Sequence, residues 1–187
     1  HILKGRLTIN IISSDLPGSM MPSKERYDRS REVIQILKQA WNQNEINFQG
    51  NYYNFNLPSS PVKPYQQNGG PLLYFGGYST EGVDLCAEFC DVYLMWPDTE
   101  EKLKILISKM RSKALEYNRT VQFGLRVHVI VRETENEAKA YANKLISKLD
   151  LKIGEDIKNR ALDSKSLGVS KQTSLREKAN KEYYAEP

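Results

Sequence analysis

The stretch FGLRVHVIVRE, residues 123–133, decides the fold that the sequence predicts. Side chains alternate between the two faces of an extended strand, so the apolar residues at odd positions, from Phe123 to Val131, share one face. Arg126 and His128 lie two residues apart on the other face and would project side by side. A guanidinium that stays charged can hold an anion, and a neighbouring imidazole that titrates near neutrality can handle a proton. The alternative is a surface strand on which both side chains point to water.

A second informative stretch, LLYFGGYST, covers residues 72–80. Its apolar start is typical of a strand buried in a parallel sheet, and its glycine turn leads into a predicted helix at about residues 81–90. Free backbone N–H groups at such a helix start favour phosphate, and the glycines let the backbone approach it. The alternative is an ordinary strand-to-helix turn with a serine cap.

Strands and helices alternate along the chain, which predicts an α/β fold with a parallel sheet, either open or closed into a barrel. The predicted elements are strands at 6–12, 72–75, 91–96 and 123–131, a hairpin at 46–55, and helices at 24–43, 81–90, after 97–99 and from 134 to 150. Trp96 ends its strand where a loop begins, and in an α/β barrel that end faces the active site. Packing against the neighbouring helix is the alternative for this tryptophan.

Three helix starts carry capping signals. Ser23 is predicted to cap the first helix, and capping boxes are predicted for Asp98 with Glu101 and for Thr134 with Glu137. The last helix is expected to bury one apolar face, formed by Ala138, Ala142, Leu145 and Leu149.

Composition excludes several classes of partner. The net charge of +4 is dispersed among 23 acidic residues, whereas a nucleic-acid site needs basic residues clustered on one face. No apolar run approaches the roughly 20 residues that span a bilayer. Cys86 and Cys90 lie four apart on a predicted helix, which suits a disulfide poorly, and the two histidines, distant in the sequence, argue against a zinc site. We predict a cytoplasmic protein with reduced cysteines, no metal, and neither nucleic-acid nor membrane partners.

Several stretches together resemble the flavin-dependent monooxygenases of the bacterial luciferase superfamily, and most closely the alkanesulfonate monooxygenases. They are GRLTINIISSD, ERYDRS, PLLYFGGYS, DVYLMW and above all FGLRVHVIVRETENEA. The resemblance covers residues 1–150 well and the remainder more loosely. Its most specific element is the arginine–x–histidine strand.

The resemblance implies a (β/α)8 TIM barrel that uses reduced FMN from a separate flavin reductase, with O2 as co-substrate. In this family oxygen adds to the flavin C4a position, and the peroxyflavin oxidises the substrate. In the sulfonate branch a C–S bond is then cleaved, which gives an aldehyde and sulfite.

The resemblance also assigns residues. Arg126 and His128 match the family's catalytic arginine and histidine, of which the first would hold the anionic group and supply a proton and the second would assist. Trp96 would line the substrate side. The implied flavin-binding residues are Asn10, Ser13, Tyr27, Gly76, Gly77 and Ser79.

The chain departs from the family pattern in two places and in extent. Ser13-Ser14 stands where a threonine–glycine pair is usual, and Tyr78 is bulkier than the residue usually found there. Only four of the eight barrel strands are predicted, which indicates a partial barrel, incomplete at both ends. Residues 1–150 would form its central part, and 151–187 a mobile lid-like or disordered tail. Exposed parallel edges favour a homo-oligomer.

The sequence leaves two alternatives to desulfonation of an alkanesulfonate. One is the same chemistry on a larger natural-product intermediate. The other is a non-catalytic, truncated paralogue that binds flavin.

Overall fold

A computed structural model of the chain describes residues 2–13, 21–66, 69–148, 150, 152–154, 156 and 174. Its strands are β1 (Thr8–Ile11), β2 (Glu45–Gln49), β3 (Asn54–Pro58), β4 (Leu72–Phe75), β5 (Val92–Met95) and β6 (Gln122–Leu125). Its helices are α1 (Ser23–Asn42), α2 (Thr80–Phe89), α3 (Glu100–Glu116) and α4 (Glu135–Ile146). The chain divides into two compact units, His1–Arg126 and Val127–Pro187.

A parallel sheet forms the centre of the first unit, which confirms the predicted α/β class. Its strand order is β1-β4-β5-β6, and every neighbouring pair is parallel. Strands β2 and β3 pair separately as an antiparallel hairpin. Among the described residues the sheet is open, as a partial barrel requires.

Helices α1, α2 and α3 cover one face of this sheet. The buried side chains Leu73, Phe75 and Tyr93 alternate along β4 and β5 and pack into one cluster with Ile34 of α1 and Met110 of α3. The other face, which would be the interior of a closed barrel, carries exposed side chains such as Thr8, Asn10 and Leu72. The alternation of buried and exposed positions therefore separates a helix-covered face from an open face.

Strand β6 is shorter than predicted. Its pairing with β5 ends at Met95 and Leu125, and residues 126–132 have no regular secondary structure. The prediction of a strand to Val131 was wrong because β5 stops before Pro97, which has no N–H to donate to a sheet. The valines that would have formed the apolar face are exposed, with 70% of Val129 and 75% of Val131 open to solvent.

Two of the three predicted caps were also wrong. Pro22, in extended conformation, holds the N-cap position of α1, so Ser23 is the first helical residue. Thr99 is the N-cap of α3, and Asp98 accepts a hydrogen bond from its N–H at 2.9 Å instead of forming a capping box with Glu101.

Helix α4 lies in the second unit and begins with the predicted capping box of Thr134 and Glu137. It ends at Ile146, earlier than predicted, and none of its described residues is buried. Leu145 is 59% exposed, and Leu149 lies outside the described residues. The described part of this unit contains no strand on which the apolar stripe of α4 could pack. The predicted boundary at residue 150 stays a prediction, since most of 151–187 also lies outside the described residues.

Both cysteines are buried and free, as expected. The hydrogen bond with Cys90 and burial raise the pKa of the Cys86 thiol, so it stays protonated. In the described part of the chain, no helix is both long and apolar enough to cross a bilayer.

A polar cluster joins the three helices around Asp84 of α2. Its carboxylate accepts hydrogen bonds from Arg31 of α1 at 3.0 Å and from Tyr117, which caps α3, at 2.8 Å, and it pairs with Lys113 at 3.1 Å. Burial by itself raises the pKa of Asp84, but the hydrogen bonds from Tyr117, Lys113 and Arg31 together lower it. The carboxylate therefore stabilises the fold when ionised.

The variant Asp84→Asn should lower the free energy of unfolding by about 1–2 kcal/mol at pH 7. Because the folded-state pKa lies below the unfolded value, this contribution is complete at neutral pH and is lost as the pH falls through the folded pKa. Denaturant unfolding at several pH values measures it. Asp28→Asn is the control, since Asp28 pairs with Lys24 on the surface and should matter little. A loss for Asp84→Asn that persists in acid would contradict the assignment.

Candidate active site

Four loops leave the sheet at one edge, because the carboxyl ends of parallel strands lie together. The loops carry Ser13 after β1, the turn at 76–79 after β4, Trp96 after β5 and Arg126 after β6. In open α/β sheets, ligands bind outside this edge. Except for His128, the candidate residues predicted from the sequence all belong to the first compact unit, residues 1–126.

The start of α2 is the best-defined part of this edge. Ser79 is the N-cap and accepts a hydrogen bond from the N–H of Gly82 at 3.1 Å. Its hydroxyl proton remains available to a ligand, and the side chain is 8% exposed. The N–H groups of Thr80 and Glu81 have no partner within the helix. The predicted serine cap is confirmed, and the phosphate site stays a prediction, for which the Ser79 hydroxyl and these two N–H groups would be the donors.

Tyr27 brings a second hydroxyl to the same place. A Cβ built on Gly82 would lie 3.0 Å from Tyr27 Oη and 3.2 Å from Ser79 Oγ. A Cβ on Gly77 would lie 2.8 Å from the ring of Phe75, which packs edge-on to Tyr27 at 6.0 Å between centroids. Both positions therefore admit only glycine without rearrangement, and two hydroxyls flank bare backbone at a helix start. This arrangement fits a phosphate group, such as that of FMN.

Arg26 was missed by the sequence analysis. Its guanidinium donates to the backbone carbonyl of Ser13 at 2.5 Å and lies 5.6 Å from the centroid of the Tyr27 ring. The Ser13 hydroxyl lies 2.6 Å from that of Ser30 on α1. The end of β1 and the start of α1 are thereby joined, with a cation beside the Tyr27 ring. The sequence could have indicated Arg26 through its position next to Tyr27 in the stretch ERYDRS, residues 25–30.

Trp96 is held by Tyr78 from the neighbouring loop. The Trp96 backbone N–H donates to Tyr78 Oη at 2.8 Å, and the two rings meet edge-on with centroids 6.0 Å apart. Gly76 lies close by, since a Cβ there would be 3.3 Å from the carbonyl oxygen of Leu94. The loops after β4 and β5 are therefore in direct contact.

The predicted catalytic pair is divided between the two units. Arg126 is the last residue of the first unit, and its backbone N–H donates to the Met95 carbonyl at 2.9 Å. His128 belongs to the second unit. Both side chains are exposed, and their catalytic role stays a prediction. Asn10 lies on β1, paired in register with Tyr74, on the open face of the sheet.

The family model for luciferase-like monooxygenases matches residues 1–186. The chain belongs to this family. Its parallel sheet agrees with the fold that the sequence resemblance predicted.

Two curated relatives carry the same name. A sulfoquinovose monooxygenase of Agrobacterium fabrum is 53% identical over 188 residues, which cover 100% of this chain and 49% of the relative. A sulfoquinovose monooxygenase of Novosphingobium aromaticivorans is 44% identical over 182 residues, which cover 97% of this chain and 50% of the relative. The chain thus spans about half the length of the curated relatives it matches.

A solved structure shows the same fold. A long-chain alkane monooxygenase superposes with a TM-score of 0.70 at 23% identity, over 81% of this chain and 42% of the other. The likeness supports the prediction of a partial luciferase-like barrel.

Proposed function

We propose that this luciferase-like chain is part of an FMNH2-dependent monooxygenase that oxidises and desulfonates an organic sulfonate, and that its substrate is sulfoquinovose or a close analogue. The observation that carries the proposal is the pair of hydroxyls, Tyr27 and Ser79, over the bare start of α2, beside the loop that presents Trp96. The names of the two relatives support the choice of substrate. The sequence resemblance implied an alkanesulfonate substrate, and we now propose a sulfonated sugar.

The cofactor would be held by its phosphate at the start of α2. Ser79 and Tyr27 would donate their hydroxyl protons, and the first N–H groups of α2 would complete the site. Gly76 and Gly77 would let the backbone approach the phosphate, while Asn10 and Ser13 would face the flavin from the end of β1. Reduced FMN, when bound, supplies the two electrons with which O2 is activated.

The substrate would bind between Trp96 and Arg126, which follow adjacent strands. A sugar offers a face of C–H groups that suits an indole ring, and a sulfonate is an anion that suits a guanidinium. Arg126 would hold the sulfonate and donate a proton during oxidation, and His128 would assist that transfer. The net reaction consumes one sulfonate, one O2 and one FMNH2. It breaks the C–S bond and yields an aldehyde, bisulfite, water and FMN.

Partners follow from this chemistry. We propose that a separate flavin reductase delivers FMNH2, that the enzyme works in the cytoplasm, and that it is a homo-oligomer.

Anaerobic titration of the full-length protein with FMNH2 tests the cofactor assignment. Ser79→Ala should weaken binding about tenfold, because it removes a donor to the phosphate and the cap of α2. Ser147→Ala is the matched control, since its hydroxyl bonds only locally to the Lys144 carbonyl, and it should bind as the wild type does. If the wild type does not bind FMNH2, the proposed monooxygenase function is wrong. If Ser79→Ala binds FMNH2 as tightly as the wild type, the proposed phosphate site is wrong.

A further inference from the structure

Two tyrosine hydroxyls connect the loop after β4 with β5 and with the loop that follows β5. Tyr78, in the loop after β4, accepts from the backbone N–H of Trp96 at 2.8 Å. Tyr93, on β5, donates to the Gly77 carbonyl of the β4 loop at 2.5 Å. The loop after β4 contributes one phenol and one carbonyl, and β5 with its following loop contributes the other phenol and an N–H; we call this pair of bonds the tyrosine brace.

The brace replaces sheet pairing that is missing at this point. β4 and β5 are paired only at Tyr74 with Val92 and at Phe75 with Tyr93. The N–H of Trp96 lies beyond these pairs and donates to the Tyr78 phenol instead of to a strand carbonyl. An unpaired amide next to a core is costly, and the Tyr78 phenol supplies the acceptor.

Trp96 is held from its other neighbours as well. The Arg126 N–H donates to the carbonyl of Met95, the residue before Trp96, at 2.9 Å. The Tyr78 ring meets the indole edge-on, with an angle of 62° between the ring planes. Tyr93 is fully buried, and burial raises the pKa of its phenol, so the phenol stays protonated at neutral pH.

We infer that Tyr78 is a positioning residue that fixes the backbone and the indole of Trp96, and that it thereby sets the affinity for the substrate. The inference rests on the proposed function, in which Trp96 lines the substrate side. The inference also explains the size of the residue at position 78, because a smaller side chain could neither reach the Trp96 amide nor contact the indole ring. Tyr78 itself acts through Trp96 and has no chemical step in the reaction.

The variant Tyr78→Phe tests the inference because it keeps the ring and removes only the hydroxyl that accepts from Trp96. In the full-length protein, hydrogen–deuterium exchange of short peptides across 93–99 should show the Trp96 amide exchanging about tenfold faster. KM for sulfoquinovose should rise about five- to tenfold, whereas kcat and its pH profile should change less than about twofold. The Kd for FMNH2 should stay within about twofold of the wild type. Tyr52→Phe, on the hairpin turn, is the matched control and should change none of these quantities.

A double-mutant cycle separates positioning from general loosening of the fold. If Tyr78 acts through the indole, Tyr78→Phe should have little further effect on KM in a Trp96→Ala background. Additive effects on KM, an unchanged exchange rate at Trp96, or a fall in kcat with a shifted pH profile would each overturn the inference. If the wild type does not bind sulfoquinovose, the proposed substrate is wrong, and the exchange rate of the Trp96 amide alone then decides whether Tyr78 positions it.

Discussion

Arg126→Ala is expected to abolish sulfite release, with kcat/KM falling about 100- to 1,000-fold, while the Kd for FMNH2 stays within about twofold of the wild type. The substitution leaves the backbone intact, so the hydrogen bond from its N–H to the Met95 carbonyl can persist. The side chain is exposed, and its loss should not unfold the protein. What disappears is the charge that we propose holds the sulfonate.

Two further variants sharpen this result. Arg126→Lys keeps the charge without the planar fork and should retain part of the activity. Arg29→Ala is the matched control, because Arg29 is exposed on α1 and bonds to Tyr53 of the hairpin at 2.9 Å. It should turn over at the wild-type rate. Sulfite production by Arg126→Ala at a rate close to that of the control would show that this arginine has no part in the chemistry.

Glu32→Ala is expected to lower the free energy of unfolding by about 3 kcal/mol. The Glu32 carboxylate is buried, and it accepts hydrogen bonds from the N–H groups of Asn51, Tyr52 and Tyr53 at 2.7, 3.0 and 3.1 Å. A Cβ on Gly50 would lie 2.4 Å from this carboxylate. The turn between β2 and β3 therefore wraps around one acidic side chain of α1, and removing it leaves three donors without their acceptor.

Denaturant unfolding measures this effect, with Glu25→Ala as the control. Glu25 is exposed in the first turn of α1, where an acidic residue contributes at most about 1 kcal/mol. Equal losses for the two variants would mean that the hairpin does not depend on Glu32.

Local sequence signals correctly predicted the segment from β4 to α2. The apolar run 72–75, the glycines after it and the Ser79 cap all act over a few residues, and each is found where the sequence places it. The same holds for the capping box at Thr134, which joins residues three apart.

The sequence did not predict the features that depend on residues far away along the chain. β6 ends at Leu125 because its neighbour β5 ends at Met95, which no pattern within 123–133 reveals. The apolar stripe of α4 is exposed although its spacing predicts burial, because burial depends on which elements pack against a helix. Likewise, Tyr78 and Arg26 acquire their roles from contacts with residues 18 and 13 positions away.

The fate of the C–S bond tests the central claim most directly. The full-length protein should be supplied with sulfoquinovose, O2 and FMNH2 from a flavin reductase, and sulfite should be quantified against substrate consumed. We expect one sulfite per substrate, strictly dependent on both FMNH2 and O2. Substrate left intact by a protein that binds FMNH2, or sulfite released without reduced flavin, would contradict the account.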